Sequence, residues 1–288
     1  MLTSSDVDAV CGLVIDLCGV YLDESKSYLI ESRLGELVKR SGCASYAEFA
    51  RRARHDTDQT LRGQIVDAIT TNETLFFRDN SPFDALELMV IPETIDSKTA
   101  TPHPKRIRIW SAACSTGQEP YSIAMLLSDM LPDVRGWDVN ILGTDISDDA
   151  IARASRGWYT THEIERGMPP ARLQRYFQPE NNGWRVKDSL RALCSFERGN
   201  LLDPNSVRGK YDVIFCRNVA IYFTPEARRD LFLRLATALT PEGYLFVGSQ
   251  ESLRDLGPQF APQQHCRAIC YRPNLPAAPP DVLIRPMH

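Results

Sequence analysis

The sequence predicts an α/β protein with a mostly parallel sheet, preceded by a region that is helical throughout. Three observations carry this. From about residue 107 onward, strand-like and helix-like patterns alternate; before about residue 90 the periodicity is helical; and between them "DSKTATPHP" (96–104) holds two prolines and no apolar residue larger than alanine. Alternating strands and helices build parallel sheets with helices on both faces and right-handed crossovers. Ligands of such sheets sit beyond the carboxyl ends of the strands.

Taken in order, "YLIESRLGELVKRSG" sets Ile30, Leu34, Leu37 and Val38 on one helical face and stops at Gly42. "SYAEFARRAR" opens with Ser45 and carries Glu48 three residues on, a capping box. "TLRGQIVDAITTN" spaces Leu61, Ile65, Val66 and Ile69 for a helix, and "SPFDALELMVIPETI" begins with a Ser81 cap and Pro82 in the first turn. Beyond the break, strands are expected at Ile107–Trp110, Val139–Thr144, Ala192–Phe196, Val213–Cys216, Tyr244–Gly248 and Cys266–Tyr271. Helices are expected at Glu119–Leu131, Asp148–Ala154 and Pro225–Leu239. One stretch, from His162 to Phe196, breaks the alternation. It holds a short helix, a turn at "ENNG" and two strand-like runs, "GWRV" and "SLRALCSF", and reads as a small insert of helix and antiparallel strands on the sheet edge. The boundaries that follow are a helical domain over 1–92, a linker over 93–105, an α/β domain over 106–275 with its insert at about 160–197, and a proline-rich flexible tail over 276–288.

Composition narrows the function. With 43% hydrophobic and 24% charged residues the chain is an ordinary globular protein, and a net charge of −4 argues against a broad nucleic-acid or acidic-membrane surface. The N-terminus has no basic segment followed by an apolar run, and no window has the roughly 20 apolar residues of a membrane span. The eight cysteines are scattered, without a CxxC pair or a zinc set. Reduced structural thiols in a cytoplasmic protein without a metal are expected.

The loops at the strand ends say more. In "SAACSTGQEPYS" a strand runs through a tight loop into a helix, as in a nucleotide site, but the GxGxxG of a dinucleotide fold and the GKS or GKT of a P-loop are both missing. Glu119, in the first turn of the helix, would repel a phosphate. An adenosine-like ligand that presents a cation fits better, and S-adenosylmethionine is such a molecule. The bland alternative for Glu119 is charge stabilisation of a helix start. Asp145, at the tip of "ILGTDIS", is placed to accept ribose hydroxyls, with a helix cap as its alternative. In "FERGNLLD", Asn200 and Leu201 suit the edge and face of an adenine; in "DVIFCRNVAIYF" a buried strand runs into Arg217 and Asn218, followed by Tyr222 and Phe223. In "TTNETLFFRD", Asn72, Thr74 and Arg78 surround an apolar trio, and Arg78 suits a carboxylate.

Together these blocks make the chain resemble the CheR family, the chemotaxis receptor glutamate O-methyltransferases. The matching stretches, in the family's order, are "ESRL", "TTNETLFFRD", "STGQEPYSIA", "GTDIS", "RYF", "NLLD" and "CRNVAIYF", and the likeness runs from about residue 25 to 253. The resemblance implies a helical N-terminal domain, a linker, and a Rossmann-like S-adenosylmethionine-dependent methyltransferase domain with a small antiparallel β-subdomain inserted. It implies cofactor contacts at Asn72, Thr74, Arg78, Glu119, Asp145, Asn200, Leu201, Asn218 and Val219, with S-adenosylhomocysteine as product. The implied partner is the cytoplasmic helical region of a methyl-accepting receptor, which meets the helical domain; in some members the β-subdomain also holds a peptide from the receptor's C-terminus. A monomer that neither enters membranes nor binds nucleic acid is expected. Two departures stand out: the family's "GHSES" reads "GSQES" at Gly248–Ser252, and Gln118 replaces the first acid of "STGEEPYS".

Methyl transfer to an ionised carboxylate asks for alignment rather than a strong base. Arg78, Arg217 and Tyr222 are the three candidates to orient that carboxylate. Between Glu31 and Arg62, seven basic residues face five acidic ones, a local excess that would steer an acidic partner. Two rivals remain at this point. A nucleic-acid methyltransferase would want Asn/Asp-Pro-Pro-Tyr or Pro-Cys where "FCRNVA" stands; a non-catalytic cofactor sensor of the same fold would tolerate the altered "GSQES".

Overall fold

The computed structural model describes residues 2–22, 27–100, 105–131 and 133–274, so the expected tail and residues 101–104 of the expected linker lie outside the described residues. The N-terminal domain is four helices. α1 (Ser4–Cys18) starts with a reciprocal Thr3–Asp6 box and ends at Gly19, whose φ of 72° is left-handed. α2 (Ser27–Arg40), α3 (Tyr46–Arg54) and α4 (Thr60–Ile69) follow. Ser45 accepts from the Glu48 N–H as expected, while the Glu48 carboxylate reaches one residue further, to the Ala44 N–H at 2.8 Å. The apolar faces of the four helices meet in a core of their own, built on Val10, Leu13, Ile30, Leu34, Phe49 and Ile65.

The next helical stretch corrects the expected boundaries. α5 (Ser81–Ala85), a π-helical turn (Leu86–Val90) and α6 (Ile91–Thr99) run on without a break, so the linker expected from residue 93 is helical as far as Thr99. Asn80, not Ser81, holds the N-cap position. Phe83, Leu86, Val90 and Ile91 bury against Ile107, Ile123, Phe215 and Phe246 of the α/β domain. By packing, the helical domain therefore ends near residue 70 rather than 92. Apolar spacing shows that a helix has a buried face; it does not say which core the face joins.

The α/β domain then alternates. β1 (Arg106–Ala112), α7 (Gln118–Met130), β2 (Asp138–Asp145) and α8 (Asp148–Arg156) form its first half. The insert comprises β3 (Trp158–Thr160), α9 (Thr161–Glu165), α10 (Pro170–Tyr176), β4 (Phe177–Glu180), β5 (Gly183–Val186) and α11 (Asp188–Arg191). β6 (Cys194–Arg198), β7 (Tyr211–Cys216), α12 (Pro225–Ala238), β8 (Leu239–Val247), β9 (Phe260–His265) and β10 (Ala268–Pro273) complete the chain. The main sheet has the order β6-β2-β1-β7-β8-β10-β9, parallel from β6 to β8, with β10 antiparallel to both its neighbours.

The insert forms a three-stranded antiparallel sheet, β3-β5-β4, with the expected turn at Asn181–Asn182. The second expected strand of the insert, "SLRALCSF", divides instead. Its first half is α11, and Cys194 onward joins the main sheet beside β2. β9 was not expected, because "FAPQQH" is polar and carries a proline; as an edge strand it tolerates both. Cys266 and Arg267, expected to begin β10, form the left-handed hairpin turn before it (φ 49° and 64°).

Candidate active site

Switching strand order at β1 opens a crevice where the carboxyl ends of β2, β1 and β7 diverge, and the candidate residues converge there. The loop after β1 turns tightly although it has one glycine. Ala113 and Ser115 take left-handed φ (61° and 50°) as well as Gly117 (94°). At Gly117 a side chain would meet the Ala154 backbone at 3.0 Å, so glycine is required there. The loop is tied on both sides. The Ser115 N–H donates to Asp145 Oδ2 (2.8 Å), and the Ser115 hydroxyl donates to the Asn72 carbonyl (2.9 Å).

Asp145 ends β2 with only 6% of its surface exposed. Its other oxygen accepts from the Ser147 N–H at 3.0 Å. Ser147 itself caps α8 by accepting from the Ala150 N–H, so the helix needs no cap from Asp145. Burial pushes the Asp145 carboxyl above the usual aspartate range, against the pull of its backbone hydrogen bonds.

Glu119 accepts from the Ser111 hydroxyl on one oxygen (2.8 Å) and from Arg217 Nη1 on the other (3.0 Å). Arg217 donates through Nη2 to Asp79 Oδ2 (2.7 Å) and to the Arg78 carbonyl (3.0 Å). Its side chain is 2% exposed. Arg217 was one of three candidates to orient a substrate carboxylate, and the geometry bears on that choice. Both terminal nitrogens are engaged, and the guanidinium holds Glu119 to the turn that bears Arg78. That turn is strained: Phe77, Asp79 and Asn80 all have positive φ (53°, 68° and 43°). It is anchored by Phe76, whose ring lies 5.0 Å from Tyr159 and 5.6 Å from Phe177 in the β-subdomain, and by the Phe77 N–H, which donates to Ser122.

Asn200, expected at the edge of an adenine, lines the cleft with its side chain already engaged. Its amide donates to the Leu17 carbonyl and its oxygen accepts from the Leu202 N–H, both at 3.0 Å, which ties the end of α1 to the α/β domain. Leu201 is buried beside it. Asn218 sits at φ 57° with Val219 next in line, and Tyr222 is 39% exposed at the rim. Its carbonyl accepts from the Tyr21 N–H at 2.7 Å.

One cleft is lined by every candidate: Asn72, Thr74, Arg78, Glu119, Asp145, Asn200, Leu201, Arg217, Asn218, Val219 and Tyr222. The helical domain supplies the facing wall through Cys18, Tyr21, Leu22, Leu29 and Arg33. Arg33, which donates to the Thr70 carbonyl (3.2 Å) and Thr71 hydroxyl (3.1 Å), was not singled out, although it stands within "ESRL". Asp79 carried no signal beyond its place in "FFRD". The altered Ser249 and Gln250 are exposed and do not line the cleft.

The donor set fits S-adenosylmethionine. Asp145 and Glu119 offer carboxylates to hydroxyl and ammonium groups, Leu201, Val219 and Ile146 offer an apolar wall, and Arg78 can answer a carboxylate. Arg217 with Glu119 and Asp79 carries one net negative charge, which suits a cationic ligand and opposes a phosphate. Among the described residues no cluster of His, Cys, Asp and Glu could hold a metal ion, and no helix is long and apolar enough to cross a membrane.

Comparison with known proteins agrees. Residues 72–268 match the family described as CheR methyltransferase, SAM binding domain, and residues 5–70 match CheR methyltransferase, all-alpha domain. The junction between them coincides with the packing boundary near residue 70. The chain is 42% identical over 259 residues to "Chemotaxis protein methyltransferase Cher2" of Pseudomonas putida, a match covering 88% of this chain and 93% of that one. It is equally similar, over the same shares, to "Chemotaxis protein methyltransferase 1" of Pseudomonas aeruginosa. It is 41% identical to a "Chemotaxis protein methyltransferase" of Vibrio parahaemolyticus, over 84% of this chain and 87% of that one.

Proposed function

The chain belongs to the CheR methyltransferase family, and from that premise we propose that it methylates glutamate side chains on the cytoplasmic helices of chemoreceptors, forming glutamyl methyl esters. The observation that carries this reading is a cleft with inward carboxylates, no phosphate cradle, and an open rim at Tyr222 beside the helical domain. When bound, S-adenosylmethionine supplies a methyl group on a sulfonium sulfur, for in-line displacement by a carboxylate oxygen with the C–S electron pair returning to sulfur.

The remaining work falls to the protein's own side chains. Asp145 receives the ribose hydroxyls, and Leu201 and Val219 flank the adenine. Glu119, held by Ser111 and Arg217, receives the α-ammonium group. The substrate carboxylate is already ionised at neutral pH, so no residue has to remove a proton from it. What the site must do is align and exclude water, since two opposite charges are lost together as the methyl moves. Arg78 and Tyr222 stand where they can orient the incoming carboxylate, whereas Arg217 acts through Glu119. α2 and α3 present the exposed basic residues Lys39, Arg40, Arg51 and Arg52 to an acidic helical partner.

Incubation with methyl-tritiated cofactor and receptor cytoplasmic fragments tests this. Base-labile label on glutamates is expected. Label that resists base, or cofactor binding with no transfer to any receptor fragment, would sink the proposal; the second outcome would favour a sensor of the same fold.

A further inference from the structure

The "GSQES" segment has a member that the cleft does not touch. Glu251 follows the exposed Ser249–Gln250 turn, yet only 8% of it is exposed. Its carboxylate accepts three main-chain N–H groups. Oε2 takes those of Gly248 (2.6 Å) and Asn218 (2.7 Å), and Oε1 takes that of Ala220 (3.0 Å). Two of these donors belong to the connection after β7, where no strand or long helix would satisfy them. Asn218 is left-handed, Val219 is irregular (φ −125°, ψ −44°), and a single 3-10 turn covers Ala220–Tyr222.

We propose that Glu251 is a positioning residue for methyl transfer, a buried anion that sets the course of 217–222 and so aims Asn218, Val219 and Tyr222 into the cleft; this rests on reading the cleft as the methyl-donor site. Three charge-assisted hydrogen bonds converging on one carboxylate give a loop without regular structure a single path. Gly248 is part of the device. A side chain there would stand 2.7 Å from Glu251 Oε2 and 2.7 Å from Asn218 Nδ2, so glycine lets anchor and loop close on each other. Within "GSQES" the departures from the family's pattern, Ser249 and Gln250, fall on the exposed turn and leave this anchor in place.

Glu251→Gln keeps the shape but turns an amide NH2 toward N–H donors, leaving at least one of them unmet. Calorimetry with S-adenosylhomocysteine should show Kd raised by about tenfold or more, with the number of sites per chain unchanged. In the labelling assay KM for the cofactor should rise and kcat should fall, because Tyr222 shifts with the loop. Arg228→Ala is the comparator. It removes the contacts of Arg228 with Asp255 and the Ser252 carbonyl, just past Glu251, without touching the loop, and should change Kd by less than about twofold.

An unchanged Kd in Glu251→Gln overturns the inference, as does a loss of sites at constant Kd, which is the mark of partial unfolding. An equal loss in Arg228→Ala overturns it too. Should Glu251→Gln not fold, Gly248→Ala pushes on the same anchor from the other side and should raise Kd likewise; a normal Kd there counts against the anchor. Failure of the parent protein to bind S-adenosylhomocysteine would instead remove the reading of the cleft.

Discussion

Strand β2 has an aspartate at each end, and the two are put to opposite uses. Asp138 opens the strand at the edge away from the cleft. It is half exposed and takes hydrogen bonds from Arg108 (2.7 and 3.0 Å) and Arg106 (2.9 Å), with those from Arg108 chief in holding its carboxyl below the usual aspartate range. Asp145 closes the strand inside the cleft, where burial pushes its carboxyl up and main-chain N–H groups partly offset the cost. The difference is access to water. At the open edge a charge pair is screened and contributes little. At the cleft edge a desolvated carboxylate is a liability to the empty fold, which the proposed ribose contact would offset. The contrast repeats with arginines. Arg272 meets Glu93 at 2.6 Å with both side chains a third or more exposed, whereas Arg217 meets Glu119 and Asp79 with 2% of its side chain exposed.

The sharpest way to break the comparison is Arg217→Met. It strands Glu119 and Asp79 beside an apolar side chain, and removing one partner of a buried pair costs about 3 kcal/mol or more. Thermal unfolding should fall accordingly, and methyl transfer should drop by about a hundredfold or more as Glu119 loses its anchor. Normal turnover would show that Glu119 needs no fixing. Next comes Asp145→Ala, which should weaken S-adenosylhomocysteine binding by about 1–3 kcal/mol in calorimetry. An unaltered affinity would take β2 out of the cofactor site.

The third probe uses pH and the two aspartates together, without ligand. A carboxyl raised on folding contributes nothing below its ordinary value of 3.8 and turns unfavourable as pH climbs from there through the raised value. Urea unfolding between about pH 4 and 6 should therefore show Asp145→Ala gaining on the parent protein as pH increases. A carboxyl lowered on folding does the reverse: its stabilisation is full above 3.8 and is lost as pH falls through and below that value. Measured below about pH 4, where that stabilisation is being gained, Asp138→Ala should lose ground on the parent as pH increases, and slopes of one sign in the two windows would end the contrast. The smallest effect is that of Asp138→Ala at neutral pH, under about 1 kcal/mol, with methyl transfer unchanged.

Much of this was legible in the residues. The parallel sheet followed from strand-helix alternation, and the site from polar residues placed just after apolar strands: Glu119, Asp145, and Arg217 with Asn218. A strand end is readable because hydrophobic patterning stops there, and α/β topology gathers such ends at one edge. Asn200 and Arg217 line the cleft, but their side-chain partners were not legible: one ties α1 to the sheet and the other is held between two carboxylates.

Local patterning was enough for the strand-helix alternation, the helical first domain and the set of chemical groups that reach the cleft. Each depends on local patterning, on what a residue and its near neighbours bury. The packing of residues 81–99 with the sheet, the support of Glu119 by Arg217 and the bond from the Asn218 N–H to Glu251 emerge only once the chain is folded. Those outcomes are choices of partner between segments distant along the chain. A buried polar side chain must find some partner, but its own neighbours in sequence do not say which one.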